Sequence, residues 1–251
     1  MTNNRIEIIP VQGVPLINPG DDIPNIITGL IENQSLKLES GDILVITHTI
    51  VSIAERSIYR LEEIVVTEKA KEISERVGIP AEKIEIALKE ASEIIREEPV
   101  LITKTRHGII TDYSGVDESN APTNTLVALP NDPDESSQRI SNAITKKVGF
   151  KVPVIMTDTQ GRPWRKGAVN LAIGVAGMSP FIHNSGKEDL FGRELRSSLV
   201  CLADQVAAAS ELVMGQAGEG IPMVIVKGIK FEEEEGKASQ ILRPYSENLF
   251  G

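Results

Sequence analysis

The chain has 251 residues, of which 41% are hydrophobic, 25% charged and only 4% aromatic. That is enough to bury a substantial core, as one large domain or two modest ones, and it excludes disorder of the whole chain. Lys and Arg number 26 against 36 Asp and Glu, a net charge of −10, which excludes a general nucleic-acid or anionic-membrane binder; an anionic ligand must be caught locally.

The start, MTNNRIEIIP, lacks the basic end and apolar run of a signal peptide, and no stretch approaches the ~18 apolar residues of a membrane span. The single Cys201 can form neither an intramolecular disulfide nor a cysteine metal site, so a cytoplasmic protein is expected.

Arg5-Ile6-Glu7-Ile8 alternates polar and apolar residues as a half-buried strand does, and Pro10, Gly13 and Pro15 then predict a loop. Gly41-Asp42 turns into a β-branched strand, Ile43 to Ile46, that delivers Thr47-His48-Thr49 to its C-terminal end. Thr67 is an N-cap, and Gly78 with Pro80 ends one helix and begins another. The second helix carries an apolar stripe at Ile84, Leu88, Ala91 and Ile95 and closes at Pro99. Val100-Leu101-Ile102 opens a strand, followed by a polar stretch from Asp112 to Asn124. Asp132-Pro133-Asp134 caps a helix from Glu135 to Lys147. Val152 to Met156 reads as a buried strand that ends at Thr157-Asp158-Thr159. The last helix is placed from Gly192 to Met214, with Cys201 inside it as a small core residue. Met223 to Val226 reads as a strand and Glu232 to Glu235 as a solvated loop. Strands and helices mix without strict alternation, which predicts an α+β fold of mixed or antiparallel sheets with packed helices.

Three groups could carry chemistry. No Walker-type phosphate loop exists, and Gly215 to Gly220 follows a helix and precedes a strand, the reverse of a dinucleotide fingerprint. Its three glycines in six residues suit either a backbone nest for phosphate or a plain helix C-cap and turn. Asp112, Asp117 and Asp158 are hard oxygen ligands suited to Mg²⁺ or Mn²⁺, Asp158 with Thr159 and Asp117 with Asn120; each could equally form an Asx-turn. Gly161 to Gly167 packs Arg162, Arg165 and Lys166 around Trp164, which suits an anionic group or an exposed basic turn. Of the histidines, His48 stands at a strand end, while His107 and His183 read as surface or loop residues.

Gly115-Val116-Asp117-Glu118-Ser119-Asn120, Leu129 to Asp134, Thr157 to Arg165 and Met214 to Pro222, with Gly13 to Ile17, stand in the order and spacing of one family. Together they resemble the coenzyme F420-0 gamma-glutamyl ligases. The resemblance implies that family's α+β fold, with 1–251 as one ligase unit and a soft subdivision near 1–100 and 101–251. It implies a homodimer that uses GTP to add L-glutamate, through a gamma linkage, to the lactyl carboxylate of F420-0, giving F420-1 and F420-2 by way of an acyl phosphate. It further implies Mn²⁺ or Mg²⁺, with K⁺ as another candidate ion, and no nucleic-acid or membrane partner.

Carried over by motif, Asp117, Asp158, Thr159 and Gln216 are metal-associated. Val14, Pro15, Leu16, Ile17, His48, Thr49, Asn120 and the loop Met214, Gly215, Gln216, Ala217, Gly218, Glu219, Gly220 and Ile221 line the GTP site. Arg162 and Arg165 are candidates, from charge alone, for anionic-substrate or phosphate contacts. The chain departs from the family at Ile53, where a phosphate-contacting Lys is usual, and at Arg56, where Gly is usual; Arg56 is a candidate to supply the missing charge. A non-catalytic nucleotide or deazaflavin binder and a metal-dependent phosphohydrolase are the alternative readings.

Overall fold

The structure, a computed structural model, describes residues 5–33 and 38–249. Its centre is a five-stranded sheet in the order β1-β12-β2-β8-β9, built from β1 (Glu7–Pro10), β2 (Ile43–Thr47), β8 (Val154–Arg162), β9 (Arg165–Ala176) and β12 (Met223–Lys227). β2 and β8 run parallel, and every other neighbouring pair is antiparallel. The central strand ILVIT is buried over its first four residues, the pattern expected of β-branched residues covered on both faces.

Each face has its own core. On one, Leu44, Ile46, Met156 and Ile225 pack with α1 (Ile23–Asn33), α2 (His48–Ala54) and α5 (Pro133–Val148). On the other, Ile43, Val45, Ile155 and Val224 pack with α6 (Leu202–Met214). Capping chemistry sets the helix ends: Asp132 Oδ1 accepts from Glu135 N at 2.9 Å at the start of α5, and Gly149 (φ 85°) ends it.

A second unit packs α3 (Glu68–Val77) and α4 (Ala81–Glu90) around Ile73, Ile84 and Leu101. It includes a three-stranded sheet of β4 (Ala91–Arg96), β5 (Ile102–Thr105) and β6 (Ile110–Asp112). β3 (Ile58–Arg60) pairs with β7 (Thr125–Val127), and β10 (Phe181–His183) with β11 (Leu199–Cys201). No helix among the described residues is long and apolar enough to cross a membrane.

β9 is an edge strand, and three of its amides are satisfied by side chains. Asn170, Ala172 and Val175 N–H groups donate to Glu211 Oε2, Asp204 Oδ1 and Asp134 Oδ1, each at 2.9 Å. At Gly174 the backbone meets α5 so closely that a Cβ would lie 2.3 Å from Pro133 O.

The mixed α+β architecture agrees with the prediction, and four local assignments are corrected. β1 lies at Glu7–Pro10, two residues beyond the predicted start. The second helix stops at Glu90, and Ala91–Arg96 is a strand, because its backbone finds β5 as a partner; the stripe through Ala91 and Ile95 is not a helix face. The last helix begins at Leu202, leaving Cys201 at its N-cap. Upstream of it the chain folds back on itself, with Gly186 N on Leu195 O and Asn184 N on Ser198 O, both at 2.9 Å. The strand predicted to stop at Met156 continues through Asp158 to Arg162, paired with β9 past a bulge at Met156/Thr157. Asp158 is therefore within a strand, and Arg162 and Arg165 flank a hairpin turn. His183 lies on β10 and is exposed.

Candidate functional site

Topology gathers the predicted segments at one edge of the sheet. β1, β2 and β8 point the same way and β12 runs opposite, so the exits of the first three and the entry to the fourth share that edge. Val11 N donates to Met223 O at 3.0 Å, and Thr47 N to Pro222 O at 2.9 Å. These bonds tie the Gly13–Ile17 segment and the glycine loop to the strand end that carries His48 and Thr49. Thr157 is in register with Thr47, which sets Asp158 beside His48.

His48 is 4% exposed. Its Nε2 lies 3.3 Å from Asp158 Oδ1, and its Nδ1 lies 3.1 Å from Ser52 Oγ, one turn along α2. Both ring nitrogens thus have a polar partner. Asp158 Oδ1 also accepts from Thr159 N at 2.7 Å, so one carboxylate oxygen is anchored twice.

On the far side of Asp158 sits a left-handed turn. Tyr113, Ser114 and Gly115 have φ of 48°, 55° and 69° in succession. Such strain persists only where surroundings fix it, and here Ser114 is buried, with Oγ on Ala87 O at 2.7 Å and N on Thr103 Oγ1 at 3.0 Å. A Cβ at Gly115 would lie 3.2 Å from Asp158 Oδ2 and 3.0 Å from Leu129 Cδ2. Asp117 follows two residues later and bridges to Val127.

Asp117 is half exposed, and its Oδ1 lies 3.6 Å from Lys83 Nζ, a lysine whose side chain is only 17% exposed. Burial pushes the Asp117 carboxyl up, but the Ser119 hydroxyl, the Glu118 amide and Lys83 together hold it below its usual range. It is thus kept ionised.

The glycine loop joins Asp158 through its neighbour. Gln216 Nε2 donates to Thr159 Oγ1 at 2.7 Å and also to Glu211 Oε1, while Thr159 Oγ1 donates to Asn170 Oδ1 at 2.8 Å. Gly215 and Gly220 adopt φ of 71° and 68°, the freedom glycine supplies. The amides of Gly218, Glu219 and Gly220 donate to no protein acceptor among the described residues.

The predicted residues divide by environment. Asp158, Thr159, Gln216 and His48 form one bonded set, and Asp117 stands two residues from Gly115, which abuts it. Val14 is half buried, Ile17 is buried, and Pro15, Leu16 and Asn120 are exposed. Arg162 donates to the carbonyls of Lys166 and Gly167 at 2.8 and 3.0 Å, committing its guanidinium to the turn; Arg165 pairs with Arg162 through the backbone and is exposed, its side chain without a hydrogen-bond or ion-pair partner among the described residues. Ile53 is 4% exposed and belongs to the core on the α2 face. Arg56 sits past the end of α2 at φ 65°, which explains a glycine preference there, with its guanidinium against Gly20.

Among the described residues no group of three or more His, Cys, Asp or Glu could hold a metal. The donors that do meet here are nevertheless hard oxygens, carboxylate, hydroxyl and amide, the kinds that Mg²⁺ and Mn²⁺ accept when phosphate and water complete the shell. A cavity of about 620 Å³ lies apart from this set, between Arg106–Ile109, the first turn of α5, β9 and Lys237–Leu242. Convergence of polar groups, rather than hollow volume, marks the candidate site. Sequence reasoning missed Lys83, Asn170 and Glu211, which carry no motif; Gly115 was visible only as part of a block.

With this geometry in place, comparison with known proteins is informative. A profile described as F420-0:Gamma-glutamyl ligase matches residues 13–228. A coenzyme F420:L-glutamate ligase of Methanothermobacter thermautotrophicus is 43% identical over 248 residues, 98% of each chain. Its namesake from Methanopyrus kandleri is 44% identical over 251 residues, covering 98% of this chain and 97% of that one. The protein of that name from Archaeoglobus fulgidus is 40% identical over 245 residues, 98% of this chain and 96% of its own. A profile match over most of the chain and relatives alike from end to end place this protein in the F420-0:gamma-glutamyl ligase family.

Proposed function

We propose that the chain is a GTP-dependent ligase that adds L-glutamate to the lactyl carboxylate of F420-0, giving F420-1 and, by gamma-linked extension, F420-2. It would act in the cytoplasm as a homodimer. The observation that carries this reading is the meeting, at one sheet edge, of a loop of free backbone amides with an anchored carboxylate. A phosphate cradle beside a cation ligand is what phosphoryl transfer to a carboxylate requires.

An unactivated carboxylate does not form an amide in water. In the proposed sequence an acceptor carboxylate oxygen attacks the terminal phosphorus of GTP, GDP leaves, and an acyl phosphate results. The glutamate amine then attacks the acyl carbon, phosphate departs and the nitrogen loses a proton.

The Gly218–Gly220 amides, which have no protein acceptor among the described residues, would hold phosphate oxygens. His48 and the Thr159 amide fix Asp158, and Gln216 ties the loop to Thr159, so the phosphate and carboxylate elements keep one spacing. Asp158, Asp117, Thr159 and Gln216 would hold a divalent cation, Mn²⁺ or Mg²⁺ with K⁺ as an additional ion, which offsets charge building on the transferring phosphoryl group. Arg165 is free to meet an anionic substrate.

The test is mass spectrometry of F420-0 incubated with protein, L-glutamate, Mn²⁺ and either GTP or ATP, with phosphate release followed in parallel. The expected result is a gain of glutamyl units with GTP and one phosphate per bond. Binding of GTP without turnover would instead mean a non-catalytic homologue, and phosphate release without glutamylation a hydrolase.

A further inference from the structure

One amide of the glycine loop, that of Ala217, already holds an anion of the loop's own. Glu219 folds back over the loop so that its Oε2 accepts from Ala217 N at 2.7 Å. Its carboxyl group lies where a Cβ of residue 215 would be, 2.3 Å from that position at Cδ and 2.7 Å at Oε1. Only glycine at 215 leaves room for this arrangement. Glu219 is exposed and has no ion-pair partner among the described residues, so nothing but the loop's own backbone holds it in place. A carboxylate offers amide donors the same negative oxygens as a phosphate does.

We infer that Glu219 is an internal anion that holds the Ala217 amide, within the glycine loop, until a nucleotide phosphate bound at the Gly218–Gly220 amides reaches it and displaces the carboxylate. Binding is then an exchange of one anion for another. The inference rests on the reading of the loop as a phosphate cradle.

The exchange has a consequence for selectivity. An incoming phosphate must break the Glu219 contact and then tolerate a negative charge displaced only a short distance away. A monovalent anion gains too little to do so, whereas a polyphosphate bringing a cation both outcompetes the carboxylate and compensates its charge. Space is open at Gly218, where a Cβ would meet nothing within 4 Å, so the phosphate can approach from that side. In this role Glu219 is a specificity-determining residue, and its charge rather than its volume is what matters.

The experiment compares wild type with Glu219→Gln, which keeps size and removes charge. Calorimetric titration of GTP is run with chelator and with Mn²⁺, and the Ala217 amide is followed by ¹⁵N NMR without ligand. Glu219→Gln should bind GTP about tenfold more tightly in chelator, the scale of one charge-assisted bond, and the gap should narrow with Mn²⁺. The Ala217 resonance should shift in the variant before any ligand is added.

Equal or weaker binding by the variant in chelator would overturn the inference and make Glu219 a contributor to affinity. An unmoved Ala217 resonance would show that the carboxylate does not occupy the loop in solution. If that resonance shifts but neither protein binds GTP, the displacement fails together with the nucleotide reading, while the internal contact itself stands.

Discussion

Gly115→Ala tests whether the left-handed turn fixes the space around Asp158. At φ 69° an alanine costs about 1–2 kcal/mol more than glycine. The new methyl would lie 3.0 Å from Leu129 Cδ2, 3.1 Å from its Cγ and 3.2 Å from Asp158 Oδ2, an overpacking worth about 1–3 kcal/mol. The smaller entropy of the unfolded alanine chain offsets about 0.4–1 kcal/mol. The net destabilisation is roughly 1–5 kcal/mol, or roughly 2–20 °C in Tm for a chain of this size. Calorimetry gives the Tm, and a Mn²⁺ titration of turnover reports whether the carboxylate has been pushed aside. Leu129→Ala opens room for the methyl, so the double variant should lose less than the sum of the two single variants, a coupling of about 0.5–3 kcal/mol. A wild-type Tm with a wild-type Mn²⁺ dependence, or strict additivity in the cycle, would refute the reasoning.

Asp158→Asn keeps the size and the hydrogen-bond acceptor facing His48, so turnover should fall by orders of magnitude with the Tm nearly unchanged; wild-type turnover would remove Asp158 from the chemistry. Gly218→Val meets open space in the protein itself, so it should weaken GTP binding at constant Tm, and unaltered affinity in calorimetry would exclude the loop as a phosphate cradle. Burial, with Arg106 adding to it, lowers the His107 pKa despite the bond to Asn131 O. The unfolded chain therefore takes up this proton first, and stability should be full above about pH 6.5 and decline as pH falls through that value. His107→Gln should flatten this slope; parallel Tm profiles from pH 7.5 to 5 would contradict it.

What could be read from the sequence was what neighbours in the chain decide. Thr67, Gly78 and Asp132 act within one helical turn, and they stand where predicted. The buried β2 and β12 runs were equally plain from their β-branched content. The misread segments were decided by distant partners: Ala91–Arg96 carries a helical spacing but pairs with Ile102–Thr105, and Gly192–Val200 turns back on residues before it.

The site follows the same division. Its motif residues could be named from order and spacing, yet Asp158 was placed at a strand end because nothing local announces that β9 extends the pairing to Arg162. Lys83 reaches Asp117 from α4, Asn170 meets Thr159 through the pairing of β9 with β8, and Glu211 meets the Asn170 amide through packing of α6 on β9. Such contacts arise from tertiary geometry and leave no sequence signature.

The three acidic side chains along β9 bear on how the protein resists misassembly. An unpaired strand edge is a template on which foreign strands can grow. Here a visiting strand would have to evict Glu211, Asp204 and Asp134 from the amides of Asn170, Ala172 and Val175. The Asn170–Val175 stretch of this edge is thereby guarded, and a copy of this chain that extends β9 there must first displace these carboxylates.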